Sequence, residues 1–257
     1  MAKASKNKIS GNNGVSMIST QQQSHQQNQQ EHQQDHQNQR LAESARYALL
    51  RRLAPALRHN MAGVLQPLAM MSILLEKRLQ NPSPDLSAVV KNSSQLNKAS
   101  GEASKACMDV MTWLAPSASD FISITKAIED ATKLVTTELS FKGLTIVNDT
   151  ADLQAEMSRS LIRNVFMATL IALTDATMTP ADVVIQARLD AGALVLTISL
   201  QAAPGELSNT STGSIEPPYR KLDWADVRVL AEVESVQLAH TCDKAELRFA
   251  ARLLRLD

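Results

Sequence analysis

The sequence predicts an α+β protein in which an N-terminal helical hairpin, residues 41–118, is followed by an α/β domain, residues 119–257. Two segments of the first part carry apolar residues at alternating spacings of three and four, which is typical of helices that pack along one seam. The turn-forming residues 81–85 separate these segments and favour an antiparallel hairpin. Beyond residue 119, short β-rich runs alternate with helical patterns, which indicates a mixed sheet with helices.

The two helical seams predict a homodimer. Two helices alone make a poor core, so a heptad-like apolar stripe on each predicts that two hairpins form a four-helix bundle. Pro55 lies inside the first pattern, where its missing N–H predicts a bend or a start of the helix. The first seam consists of Leu50, Leu53, Leu57, Met61, Val64, Leu68, Met71 and Leu75, and the second of Leu86, Val89, Ser93, Leu96, Ser100, Ala103, Cys107, Val110 and Leu114.

The α/β domain has a definite predicted order of elements. Ser158 is a candidate N-cap for a long apolar helix that runs toward Ala176. The segment Asp190–Ala193 lies between two β-rich runs and predicts a hairpin turn. In chain order, the patterns predict a strand at 121–124, a helix at 126–139, a strand at 144–147, the helix after Ser158, strands at 183–185 and 194–198, a helix at about 223–232, and strands at 236–239 and 247–250.

A single histidine stands out in the first helix. At roughly 100° per residue, His59 lies about 200° from the seam residue Leu57, so it points away from the seam. Gly63 follows one turn later on the same face and leaves room for another molecule to approach. An outward imidazole without a partner is a candidate nucleophile, although an ordinary surface histidine would fit the same pattern.

The segment around His59 resembles the dimerisation and histidine phosphotransfer domain of bacterial two-component sensor kinases. His59 and Pro67 match the variant motif His-Asp-x-x-Asn-x-x-x-Pro, whereas Asn60 replaces its acid and Gly63 its asparagine. The resemblance implies that His59 is the phosphoacceptor and that Arg58 is a candidate contact for the phosphoryl group. In the motif, the acidic side chain is thought to accept a proton from the attacking imidazole, and Asn60 cannot act as that base. The resemblance therefore implies transfer from an already activated phosphate in preference to self-phosphorylation.

The order of elements after residue 119 is similar to the histidine kinase ATPase fold, a sandwich of a mixed sheet and a layer of helices. The residues that bind Mg-ATP in that family are replaced. Ala172 stands where the family has a metal-binding asparagine, and an alanine cannot coordinate a metal. Gln201 replaces the aspartate that reads adenine, and Ala203 replaces the first glycine of its motif, which continues to Gly205. The sequence therefore predicts no bound ATP, no cofactor and no metal site.

The composition of the chain limits the classes of binding partner that we expect. The formal net charge of the 257 residues is zero, so no basic excess favours nucleic acid or an acidic membrane surface. The sequence has no apolar run of about eighteen residues, and we expect a cytoplasmic protein. Cys107 and Cys242 are expected to be buried thiols in a reducing compartment. Residues 1–40 are glutamine-rich and are expected to form a disordered tail, whose scattered histidines have no fixed metal-binding geometry.

Two functions fit these patterns. The first is a histidine phosphotransferase, whose partner is the receiver domain of a response regulator and whose Mg²⁺ is supplied by that receiver. The second is a pseudokinase or scaffold that docks on a sensor kinase or a response regulator and carries no phosphate. An ATP-dependent kinase would require replacements for the missing elements of the nucleotide site.

Overall fold

The computed structural model describes residues 13–114, 120–150, 153, 155–177, 179–202 and 220–253. Helix α1, Asn13–Leu79, and helix α2, Leu86–Leu114, form the predicted hairpin. Asp85 begins α2, because its carboxylate accepts hydrogen bonds from the backbone N–H groups of Ser87 and Ala88 at 3.0 and 3.2 Å. Hydropathy along the helices identifies none that could span a lipid bilayer in the part of the chain that the structure describes.

The second part of the chain is a two-layer α/β sandwich. Its main sheet has five strands in the order β2-β4-β5-β7-β6, with β2 and β4 parallel and the other neighbours antiparallel. A smaller antiparallel sheet has the order β1-β3-β8. The elements are β1 (Phe121–Ser123), α3 (Ile124–Phe141), β2 (Leu144–Asp149), β3 (Ala155–Ser158), α4 (Arg159–Leu161), a π-helix (Ile162–Phe166), α5 (Met167–Asp175), β4 (Ala181–Asp190), β5 (Ala193–Ala202), α6 (Trp224–Val233), β6 (Gln237–His240), β7 (Lys244–Ala250) and β8 (Arg252–Leu253).

The predicted fold class is confirmed: a helical hairpin is followed by an α/β sandwich. Ser158 is the N-cap of α4 and accepts a hydrogen bond from the Ser160 N–H at 3.2 Å. The short strands β3 and β8 were not predicted from the sequence. Each is only a few residues long, and it belongs to a sheet formed by segments that lie far apart in the chain.

Two local expectations differ from the structure. Helix α1 begins at Asn13, so most of the segment expected to be a disordered tail is helical. Glutamine has a good helix propensity, and residues 13–40 contain no proline to interrupt the helix. The expectation that both thiols are buried is also wrong: Cys107 is half-buried and Cys242 is exposed. Pro55 and Pro67 lie within α1, which continues through both positions.

The middle of α1 packs into the core of the α/β domain. Ala42, Ala45, Ala48 and Leu49 are buried there together with the apolar faces of α3, α5 and α6. Leu53 is 0% exposed in the same core, although its spacing placed it on the seam with α2. The hairpin and the sandwich therefore share one continuous hydrophobic core.

Arg52 connects these two parts through a partly buried ion-pair cluster. Its Nη1 donates to Glu138 Oε2 on α3 at 2.9 Å, and its Nε donates to Asp175 Oδ2 at the end of α5 at 3.0 Å. Lys142 Nζ also donates to Asp175 Oδ1, at 2.6 Å. Burial disfavours the charged carboxylates, but hydrogen bonds from Arg52 and the attraction of the Arg52 and Lys142 charges together outweigh it and lower the pKa of both Glu138 and Asp175. We refer to these four residues as the Arg52 cluster.

Replacing Arg52 by methionine should destabilise the protein by about 3 kcal/mol at pH 7, because two partly buried carboxylates lose their main partner. The loss should depend on pH. The folded-state pKa values of Glu138 and Asp175 are lowered, so their contribution is present above the unfolded-state values of 4.5 and 3.8 and is lost as the pH falls through the lowered values. Chemical denaturation of both proteins at several pH values measures this difference.

The control is Arg188→Met, which removes an exposed arginine from β4. This variant should stay within about 0.5 kcal/mol of the parent protein. A difference between Arg52→Met and the parent that is the same at pH 7 and pH 3 would contradict the ion-pair account.

Candidate functional site around His59

His59 lies on the part of α1 that extends beyond the α/β core. Its side chain is exposed, and it forms no hydrogen bond or ion pair within the described part of the chain. A Cβ atom built on Gly63 would meet no heavy atom within 4 Å, so the space one turn later is open. The sequence-based expectation of an outward imidazole beside open space agrees with this geometry.

The opposite side of α1 faces α2. The seam residues Leu57, Met61, Val64 and Leu68 are half-buried, whereas residues on the His59 face are exposed. The seam therefore fixes which side of the helix points outward. Arg58 is also exposed, and it lies about 100° around the helix from His59.

The face that carries His59 continues toward the hairpin turn as an exposed strip. Gln66, Met70 and Ile73 each lie within about 40° of the direction of His59. Met70 is 71% exposed and Ile73 is 62% exposed, which is unusual for large apolar side chains. We call His59, Gly63, Gln66, Met70 and Ile73 the His59 strip.

The same face of α1 leads back to the Arg52 cluster. Arg52 precedes His59 by about two turns, roughly 10 Å along the axis, and differs from it in direction by about 20°. The α/β domain therefore lies beside the N-terminal end of the His59 strip. Asn60 points to a different side, where it borders a cleft between the hairpin and α3.

The positions of the predicted nucleotide site do not form one surface in the described residues. Ala172 is 5% exposed, and its side chain lies in the hydrophobic core. Gln201 is exposed at the end of β5, where it pairs with Asp182 of β4. Ala203 and Gly205 lie outside the described residues.

The N-terminus of α6 is capped by carboxylates of the chain itself. Asp223 and Asp226 form a reciprocal capping box, in which each side chain accepts a hydrogen bond from the backbone of the other. Arg220 donates two hydrogen bonds to Asp226 at 2.6 and 2.8 Å. The N–H groups that a helix N-terminus offers to an anion are therefore partly used by the protein itself.

Sequence reasoning missed several residues of this region. Met70 and Ile73 follow from the same helical count that oriented His59, so the signal was present in the sequence. Arg52 lies on that face too, but its partners Glu138 and Asp175 come from distant parts of the chain. No local pattern indicates such pairs.

Comparison with known proteins yields matches of fold only. No protein-family model and no curated protein matches the chain. The Acinetobacter baumannii histidine kinase AdeS is 15% identical, with 73% of this chain and 96% of that chain covered and a TM-score of 0.38. Histidine kinase ThkA in complex with the response regulator protein TrrA is 15% identical, with 85% and 66% covered and a TM-score of 0.36. A bacterial phosphotransferase is 14% identical, with 78% and 93% covered and a TM-score of 0.32.

At these identities and TM-scores, the likeness carries no function from those proteins to this chain. The fold assignment rests on the hairpin, the order of elements and the strand order of the mixed sheet. In these features the chain has a histidine kinase-like architecture, as its sequence predicts.

Proposed function

We propose that this protein is a histidine phosphotransferase, which exchanges phosphoryl groups between His59 and the aspartate of a receiver domain without binding ATP. The observation that carries the proposal is the exposed imidazole of His59 on a helix whose direction is fixed by the α/β domain. The open space at Gly63 gives a second protein access to it.

The proposed chemistry is a reversible phosphoryl transfer. A lone pair on one imidazole nitrogen of His59 attacks the phosphorus of an aspartyl phosphate, and the new N–P bond forms as the acyl P–O bond breaks. The aspartate leaves as a carboxylate, and the imidazolium formed by the attack loses the proton on its other ring nitrogen to solvent. Mg²⁺ held by the receiver would offset charge on the phosphoryl oxygens, and the exposed Arg58 is a candidate for a further contact.

The His59 strip is the proposed docking surface for the receiver. It places exposed Met70 and Ile73 within about 20 Å of the reacting imidazole, measured along the helix axis. Large exposed apolar side chains next to a reactive group are typical of protein interaction sites. The strip would therefore hold the receiver in register while its aspartate faces His59.

We propose that a second copy of the chain covers a different face of the hairpin. A groove between α1 and α2 is lined by Leu65, Val90 and a set of small side chains, including Ala69 and Ser93. Leu65 is 41% exposed and Val90 is 69% exposed. Small residues let helices approach closely, and a second hairpin would complete the four-helix bundle.

A pseudokinase or scaffold remains the second candidate. Its support is that Asn60 replaces the acid of the phosphotransfer motif and lies toward the cleft beside α3 instead of in the His59 strip. In this case the strip would bind a partner, but His59 would carry no phosphate.

The first experiment is phosphoryl transfer without ATP. Purified protein is mixed with a panel of labelled, phosphorylated receiver domains. We expect label on the parent protein in an acid-labile, base-stable linkage, and none on His59→Ala. Because His59 is exposed and unpaired within the described residues, the free energy of unfolding of the variant should stay within about 0.5 kcal/mol of the parent.

Label that persists on a folded His59→Ala variant would contradict the assignment of His59. If receivers bind in a pull-down but none transfers label, the scaffold becomes the better account. Binding of Mg-ATP, measured as a thermal shift, would contradict the ATP-free proposal.

The two proposed surfaces can be separated by matched substitutions. Met70→Glu alters the His59 strip and should slow transfer by about tenfold or more while the protein remains dimeric. Val90→Glu places a charge in the groove and should yield monomers in analytical ultracentrifugation at micromolar concentration. Each variant is the control for the other, and circular dichroism measures the helix content of both.

A parent protein that sediments as a monomer would contradict the proposed dimer. Equal transfer rates for Met70→Glu and the parent would contradict docking on the His59 strip.

A further inference from the structure

The cleft beside Asn60 separates the hairpin from the α/β domain and has a volume of about 500 Å³. Six elements form its wall, which includes Met61 of α1, Trp113 of α2, Leu134 of α3 and Arg163 of the π-helix. A cavity of this size between two structural units suits a small organic molecule. The proposed phosphotransfer uses none of these residues.

Arg163 is the unusual member of the cleft. It is only 8% exposed, and its Nη1 has no hydrogen-bond partner in the described structure. The guanidinium lies 5.3 Å from the centre of the Trp113 ring. Burial and the nearby charge of Arg159 lower the pKa of Arg163, while Asp109 opposes the shift. A buried guanidinium without a hydrogen-bonding acceptor is costly, and an anion in the cleft would satisfy it.

The local backbone favours the same interpretation. Arg163 lies in the π-helix, Ile162–Phe166, between two α-helical segments. The wide turn of a π-helix changes the direction of its side chains, and such turns are frequently found at functional sites. The turn places a charged residue among buried neighbours, with its guanidinium against the cleft.

Most other cations of the wall are already neutralised. Lys105 is the exception, since it is exposed and has no ion pair within the described residues. Arg163 and Lys105 contribute two positive charges to the cleft, and Asp109, which also borders it, contributes one negative charge. The remaining positive charge favours a ligand with about one negative charge. The neutralised pairs are Lys126 with Asp130 at 2.7 Å, Lys133 with Glu129 at 2.7 Å, and Arg159 with Asp120 at 2.7 Å.

We propose that this cleft binds a small organic oxyanion, in which a carboxylate or phosphate group meets Arg163 and an apolar body lies against the cleft wall. Leu57, Met61 and Val110 are among the apolar residues of that wall. A planar guanidinium donates two parallel hydrogen bonds to either head group. Because the ligand would contact both the hairpin and the α/β domain, its binding would stabilise their relative position.

Isothermal titration calorimetry on the full chain tests the site with benzoate, phenyl phosphate, inorganic phosphate and neutral benzyl alcohol. We expect benzoate or phenyl phosphate to bind once per chain with a Kd below about 1 mM, and the tighter of the two identifies the head group. Inorganic phosphate and benzyl alcohol should bind at least about tenfold more weakly, because each lacks one half of the ligand.

The matched variants are Arg163→Met, Lys105→Gln and the control Arg188→Met. Arg163→Met should weaken binding by about tenfold or more, Lys105→Gln by about threefold, and the control not at all. Without ligand, Arg163→Met should unfold at the same temperature as the parent or higher, because it removes an unpaired buried charge. His59→Ala should bind as the parent does, which separates this site from the proposed phosphotransfer.

The proposal is overturned if neither organic anion binds, or if benzyl alcohol binds as tightly as they do. It is also overturned if Arg163→Met folds but binds as the parent does. A lower unfolding temperature for Arg163→Met, together with unchanged binding to Lys105→Gln, would assign Arg163 a structural role instead.

Discussion

The arrangement of the helical hairpin and the α/β domain depends on the ion pairs that the guanidinium of Arg52 forms with Glu138 and Asp175. Much of the α1 surface that meets the α/β domain is alanine, and Ala42, Ala45 and Ala48 allow close approach but bury little area each. Apolar contact of this kind is not directional, so it does not by itself fix how the helix is rotated. The Arg52 cluster is directional, because Glu138 and Asp175 approach the guanidinium from two different helices.

A second polar network fixes the same helix from another side. Glu234, at the end of α6, accepts hydrogen bonds from Ser160 and from Asn164, the latter at 3.0 Å, and lies 3.8 Å from Arg46 of α1. Arg46 and Arg52 point about 120° apart around α1. Contacts in two such directions prevent rotation of the helix about its axis. Together with the seam against α2, they fix the direction of His59, although neither network touches it.

The sequence predicted those features that depend on neighbours in the chain. The hairpin turn at Asp190–Ala193, the Ser158 cap and the direction of His59 each follow from a local pattern. The spacing of Leu53 predicted that its side chain is buried, but it did not predict which element covers it. An apolar stripe on a helix can pack against α2 or against the α/β core equally well. The unpaired state of Arg163 could not be predicted either, since it depends on where Trp113 and the charged residues of α3 lie in space.

The docked position of α1 also bears on the proposed phosphotransfer. Release of α1 from the core would break the Arg52 cluster and expose Leu49 and Leu53, now 2% and 0% exposed. Exposure of these two leucines alone would cost about 3 kcal/mol or more. The undocked chain is therefore a minor population. In this docked arrangement the α/β domain holds α1 and so orients His59, and the proposed phosphotransfer takes its phosphoryl group from a separate receiver domain.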